Sequence, residues 1–580
     1  MHDALKIPLV IENIFSCAFQ TYENQGTGFS DPYCLREKYR VAGVCREWRN
    51  AVLSRINGDF HVYMVGSKIQ PEEHYAPDEP LDSKHISDGP RFLTNLELIP
   101  STAKPRRIVV YYEHPDNFKL EACAYLKTIG FDQRDWKSVQ SLVINVGTAG
   151  QVMPPVEGIG IDVGYILHYT PNIESISLLV KGCRMLDIDA LEYLPIFTAN
   201  SITTLHLDTT NMCDLSSMVL PTLEELSIDC SCNADIGWLP PLDTGVIRRL
   251  RLKHIQTDEF FRLLQSTVAG AEVIFSQLEM LEVIFMAVDR SLYDGLNDGL
   301  VDVFGGSTAG DDGSSQYTYS FPKLRHLILC GLLDNVAETY RLFKDAPLET
   351  LRLTKNIGLL DYIDMGGFPT LRSIHADTEH VVSEASARLL DNRILGSRSS
   401  LDRVSIVFYA PLTLMPTQFG STDIRILDLS YILTVPKLET LLLQLPHLVM
   451  LHIYFDLTET SGNPPSVEIA DVLAAQDSTS RPSIKPLNTS LQLLAVDGYA
   501  ASEFVLSAIG REGVAPLMPV IARTPSLLRM QYCCGAPGDD ALLMDVLGDA
   551  TARAKAPHFA NVQVDKNCLR LMRQILKGNC

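Results

Sequence analysis

Two closely spaced cysteine pairs, Cys230-Ser-Cys232 and Cys533-Cys534, are where a thiolate metal site would begin. A structural zinc needs four ligands, usually as two such pairs, and neither pair has a second at zinc spacing. Both read as small packed or polar positions instead. His375 and His380, in HADTEH, have no further ligands nearby. Asp294, Asp298, Asp311 and Asp312 sit among glycines and serines, as a solvated acidic loop does. There is no G-x-x-x-x-G-K-[ST], no G-x-S-x-G, no H-E-x-x-H and no calcium-binding loop. The residues predict no catalytic centre, no metal and no cofactor, and the expectation is a protein that is not an enzyme.

Composition narrows the classes further. The chain has 580 residues, 46% hydrophobic and 21% charged, which is globular and long enough for several domains or one extended array. Its net charge of −21 disfavours phosphate-backbone binding and attachment to an anionic membrane. Thirteen scattered cysteines and no secretory-type leader predict reduced thiols in the cytoplasm or nucleus. The sequon at Asn488 would then be idle. The longest apolar run, 438–455, is broken by Glu, Gln, Pro and His and is too interrupted to span a bilayer.

The elements that must position any surface come from a repeat. PTLEELSID (221–229), PKLRHLILC (322–330), APLETLRLT (346–354), PTLRSIHAD (369–377) and PHLVMLHIY (446–454) share L-x-x-L-x-L, often after a proline. With any aliphatic residue allowed, first positions fall at Val139, Ile173, Ile202, Leu223, Ile247, Leu278, Leu324, Leu348, Leu371, Leu401, Ile424, Leu448, Leu491 and Leu527. The step is 21 from Ile202 to Leu223, 24 from Leu324 to Leu348 and 23 from Leu348 to Leu371. Alternation within each copy puts the aliphatics on one face of a strand, and stacked strands share a core that none could bury alone. Segments 258–270 and 336–346 predict amphipathic helices on the outer side.

This pattern resembles the leucine-rich repeat over residues 138–534, in degenerate form: of the family's Asn or Cys position, only Asn356 fits clearly. The resemblance implies an α/β fold, an irregular solenoid with a parallel sheet on its concave face. Inserts at 291–320 and 458–490 read as loops, the second with a short helical stretch. Residues 535–580 predict a helical cap for the open end. Residues 61–137 connect the array to what precedes it, with a divergent first repeat around RRIVVYY (106–112).

Residues 1–60 differ in kind. Ile7, Val10, Ile11, Ile14 and Phe15 follow helical spacing, with Pro8 suited to the first turn. After a polar loop, Val41, Val44, Cys45, Trp48 and Val52 form a second helical face, and the β-type segment FHVYMVG follows. Pro8, Ile11, Ile14 and Phe15, then Val44, Cys45, Trp48 and Arg49, resemble an F-box, with Ile-Pro in place of Leu-Pro and a longer loop between helices. F-boxes of this appearance often precede leucine-rich repeats, notably in fungal families. The resemblance implies a substrate adaptor: Pro8, Ile11, Ile14, Phe15, Val44, Cys45 and Trp48 bind a Skp-type adaptor that links to a cullin-RING ubiquitin ligase, while the repeats capture a target protein. The alternative is a leucine-rich-repeat interaction scaffold, its N-terminal helices merely a cap, with no role in ubiquitin transfer.

If the repeats are strands, the residues between the aliphatics face outward and are candidates for target binding. They are Arg249, Arg251 and Lys253 in one copy, Arg352 in another, His375 with Asp377, then Asp428, and His452 with Tyr454. The three cations make a spot for an acidic or phosphorylated segment, or are solvated charges balanced by Glu225 and Asp229 on the preceding strand.

Overall fold

The structure is a computed structural model and describes residues 59–65, 91–94, 104–112, 126–146, 164–180, 201–209, 220–230, 243–255, 260, 272–285, 318–331, 342–355, 368–378, 394–396, 400–408, 411–412, 419–456, 486–499, 517–533, 544, 547–548 and 557–576. They belong to two compact units, Met1–Thr267 and Val268–Cys580.

The first unit contains β1 (Asp59–Val65), β2 (Arg91–Thr94), β3 (Arg107–Tyr112), β4 (Ser141–Val146), β5 (Ser175–Val180), β6 (Thr204–Thr209), β7 (Glu225–Cys230) and β8 (Arg249–Ile255). From β3 to β8 each strand pairs in parallel with the next. β1 pairs in parallel with β3, and β2 runs antiparallel on β1. FHVYMVG and RRIVVYY thus supply β1 and β3. Phe60, Phe131 and Trp136 are buried together, ring centroids 4.4 to 5.8 Å apart, and the Trp136 indole donates to the Phe131 carbonyl at 2.6 Å.

The second unit contains β9 (Glu272–Ile274), β10 (Met280–Phe285), β11 (Thr318–Ser320), β12 (His326–Cys330), β13 (Thr350–Thr354), β14 (Ser373–Thr378), β15 (Arg403–Phe408), β16 (Ile426–Leu433), β17 (Met450–Asp456), β18 (Leu493–Tyr499), β19 (Arg529–Cys533) and β20 (Gln563–Val564). Here too successive strands pair in parallel, β10 to β12 and then each to the next through β20. β9 and β11 form a separate parallel pair. This unit also contains helices α1 (Val435–Gln444), α2 (Met518–Ala522) and α3 (Cys568–Leu576).

The repeat template maps onto this architecture copy by copy. Each of the first positions, from Val139 to Leu527, is buried two residues before a strand begins. The recurring proline has a defined place. In Leu220-Pro221-Thr222-Leu223, Phe321-Pro322-Lys323-Leu324, Phe368-Pro369-Thr370-Leu371 and Leu445-Pro446-His447-Leu448, the fourth residue's N–H bonds the first residue's carbonyl at 3.1 to 3.2 Å. This is a β-turn with proline second, where its fixed φ is already correct. Hydroxyls then tie the turns together: Ser201, Thr222 and Thr370 donate to the carbonyls of Ile173, Ile202 and Leu348, first positions of the preceding copies. The second-position carbonyls from Gln140 to Glu224 and from Glu279 to Gln492 each accept two consecutive N–H groups of the next copy, as Arg425 O does from Val449 and Met450. These bonds lock one copy per step and fix the parallel register.

Some expectations change. Residues 318–320, taken with the loop insert, form β11, because Thr-Tyr-Ser suits an extended chain beside β9. Residues 486–490, at the end of the second insert, are part of a repeat step. Asn488 is buried, donates from its amide to the Leu445 carbonyl at 2.7 Å, and accepts from the N–H groups of Ser490 and Leu491. Its side chain is a structural bracket, buried with an amide N–H on the Leu445 carbonyl. The predicted helices at 258–270 and 336–346 lie mostly outside the described residues, as do residues 1–58. Among the described residues no helix is long and apolar enough to cross a membrane.

Candidate functional site

The fifth position of the template, between the two inward aliphatics, faces away from the leucine core. Parallel register stacks these residues into a row. In the second unit it reads Arg352, His375, Ser405, Asp428, His452, Ala495 and Gln531 from β13 to β19. Adjacent strands lie ~4.8 Å apart, so neighbours in the row are within reach of one another.

An ion network is built on this row. Asp428 and His452 are both fully buried. The His452 imidazole donates from Nδ1 to Asp428 Oδ1 at 2.6 Å and from Nε2 to Asp497 Oδ2 at 3.2 Å. Asp497 stands two residues beyond Ala495 and pairs in register with Tyr454. The other Asp428 oxygen accepts from the Ser405 hydroxyl at 3.2 Å and from Arg573 Nε at 3.4 Å. Burial alone would discharge His452, but its hydrogen bonds and charge attraction to Asp428 and Asp497 raise its pKa to about 9. Burial likewise opposes the Asp428 carboxylate, yet the His452 hydrogen bond and the charges of His452, Arg573 and His375 hold it below the usual carboxylate range. The Tyr454 phenol is pushed up by burial and by Asp497. The network is therefore two carboxylates against an imidazolium and a guanidinium.

A register shift adjoins it. Asp428 pairs with His452, but Ile432 pairs with Tyr454, so β16 carries two extra residues. An even insertion leaves the side-chain alternation in phase, and Leu412 bridges to Tyr431 within the bulge.

α3 packs across the row from β15 to β19. Cys568, Met572 and Leu576, four residues apart on one helical face, are buried. Met572 and Leu576 pack on Ile426, with Met450 beside them; Cys568 packs on Leu493 and Ala495. The Leu569 N–H donates to Gln531 Oε1 at 2.9 Å and Arg403 donates to the Ile575 carbonyl at 3.4 Å. Burial pushes the Cys568 thiol up to about 12, so it stays protonated. All eight residues of β16 are buried, and α3 packs on Ile426 at its start and reaches Asp428 through Arg573.

This arrangement ties β15, β16, β17, β18 and α3 together through one ion network. His452 has both nitrogens committed to carboxylates, and the Ser405 hydroxyl points to Asp428 rather than to the imidazole. A hydrolytic triad needs the opposite order, hydroxyl to imidazole to carboxylate. Among the described residues no group of three or more His, Cys, Asp and Glu is placed to hold a metal.

The first unit carries the other named residues. Arg249 pairs with Glu225 at 3.6 Å and Lys253 with Asp229 at 3.5 Å. His254, at φ 58°, places Nδ1 2.6 Å from Asp229. Arg251 continues a row of Ser177, His206 and Ser227. Burial lowers the His206 pKa against the pull of Asp208, with Lys253 and Arg251 adding to the lowering. Two of the three cations, Arg249 and Lys253, are thus paired with Glu225 and Asp229 on β7. A separate open depression of about 640 Å³ is lined by Lys104, Arg106, Lys137 and Glu174 among others.

Arg352, His375 and His452 lie in one row, and Tyr454 joins it through Asp497; Arg249, Arg251 and Lys253 belong to the first unit. His452 was expected on an open face and is instead sealed in the ion network, while His375 is buried. Residues 535–580 were expected to cap the open end; β20 does extend the sheet beside β19, but α3 turns back over the row. Ser405, Asp497 and Arg573 escaped the sequence reading. Ser405 could have been found by aligning the fifth positions; Arg573 stands outside the repeat and gives no such signal. Pro8, Ile11, Ile14, Phe15, Val44, Cys45 and Trp48 lie outside the described residues, as does His380. The chain matches no protein-family model, and no curated protein matches it.

Proposed function

We propose that the chain is a non-enzymatic substrate adaptor: an N-terminal F-box-like unit engages a Skp-type adaptor and, through it, a cullin-RING ubiquitin ligase, while a leucine-rich-repeat solenoid holds the target. The observation that carries this reading is the consecutive parallel array, β3 to β8, then β10 and β12 to β19, each strand set one template copy after the last. Such arrays present extended faces to protein partners. The adaptor does no chemistry; it raises the effective concentration of target lysines near the charged conjugating enzyme.

The rival is a scaffold whose first sixty residues only cap the array, with no role in ubiquitin transfer. Co-purification of the full chain with a Skp-type adaptor tests the reading, using wild type and a Phe15→Ala, Trp48→Ala double variant. Capture of the wild type, with loss in a variant of unchanged circular dichroism, supports it. No capture of the wild type removes the ubiquitin role and leaves the scaffold.

A further inference from the structure

We infer that the row-bearing face of β15–β19 is a docking surface for an amphipathic helix carrying a guanidinium, and that α3 is its built-in occupant, which a partner helix must displace. This goes beyond the adaptor proposal and does not depend on it.

The floor of the surface is costlier than a permanent lid needs. Apolar residues would seal a helix onto a sheet at least as well as a buried ion network, which must offset the desolvation of Asp428 and His452. What the network adds is selectivity. Two carboxylates share one imidazolium inside the sheet, and α3 adds the Arg573 guanidinium, 3.4 Å from Asp428. Around it, Ile426, Met450, Leu493 and Ala495 form an apolar rim that takes a stripe at i, i+4 and i+8. An Arg one position after the middle stripe residue is what the surface reads in α3, and a partner helix would have to present the same.

The occupant is suited to leaving. α3 has nine residues. A helix that short does not persist alone in water, so its docking pays the full ordering cost. Two of its three polar ties are long, at 3.4 Å, and Arg573 keeps 37% of its side chain exposed. Against this, Asp565 and Asn567 tether it directly after β20, keeping it at high local concentration. Long polar ties with a short tether describe a latch, closed by default and opened by a better ligand.

The test uses the full chain and a fluorescent peptide of residues 565–578 as probe. Wild type should bind it poorly, because the surface is filled. The variant Met572→Asp, Arg573→Glu, whose α3 cannot seat, should bind at least roughly tenfold more tightly. A peptide with Glu in place of Arg573 should lose roughly tenfold on the opened variant. Hydrogen exchange of β16 and β17 checks that the sheet stays folded; if it does not, Met572→Ala replaces the double variant under the same outcomes. In the wild type, α3 amides should exchange at least roughly a hundredfold faster than those of β17, as local opening requires. Equal protection of α3 and β17, no binding to an opened and folded variant, or indifference to the Arg-to-Glu change would each overturn the inference. Failure here leaves the Skp-type interaction untouched, since that experiment reads residues 1–60.

Discussion

Asp428 and His452 each depend on the other to stay charged in the interior, and this makes stability a function of pH. A histidine raised from its ordinary 6.5 to about 9 contributes in full below 6.5 and loses that contribution as pH climbs through about 9. Asp428, held below the carboxylate range, contributes in full above that range and loses it as pH falls through its lowered value. The network is therefore strongest in mildly acidic solution. We expect the urea midpoint to fall between pH 6.5 and pH 9, and His452→Gln to flatten that slope; an unchanged slope in the variant would assign the pH dependence to other groups. Asp428→Ala, which strands a buried imidazolium, should cost roughly 3–5 kcal/mol by urea titration at pH 6.5. Ser405→Ala removes one neutral donor and should cost only about 1 kcal/mol.

The turns that launch each strand were half legible. The recurrent proline stood out as a pattern, and it presets the turn; the Thr that follows it in two copies did not, and its hydroxyl reaches the previous copy. The cost of losing that reach is testable. Thr222→Val and Thr370→Val keep the shape and remove the donor to Ile202 and Leu348, so each should lower stability by about 1 kcal/mol in chemical denaturation. A backbone requirement at the end of β12 was not legible at all. Gly331 has φ 99°, and a Cβ there would stand 2.6 Å from the Phe285 carbonyl oxygen at the end of the neighbouring β10. Gly331→Ala should destabilise by roughly 1–3 kcal/mol, the strain of a left-handed non-glycine residue plus the displaced backbone, read as a lower thermal midpoint.

Across the chain, the periodicity exposed the array because burial of the aliphatics repeats at every copy, from Val139 to Leu527. What escaped had no period. Asp497 lies two residues past the row, and Arg573 comes from a helix 145 residues beyond Asp428, so no spacing links them. His452 looked open because a strand pattern tells which face a residue takes and not what later chain covers that face. The same serial construction governs how damage spreads. In a solenoid, stability is close to a sum of copies and nearest-neighbour contacts. Leu351→Ala, in the middle of β13, should cost roughly 2–5 kcal/mol by cavity formation. Its loss should be graded in space: hydrogen exchange should quicken most in β12, β13 and β14 and least in β18 and β19. A uniform loss over β10 to β20 would mean that α3 and the ion network bind the copies into a single cooperative block, and the latch would then be a stabilising strap for the whole unit.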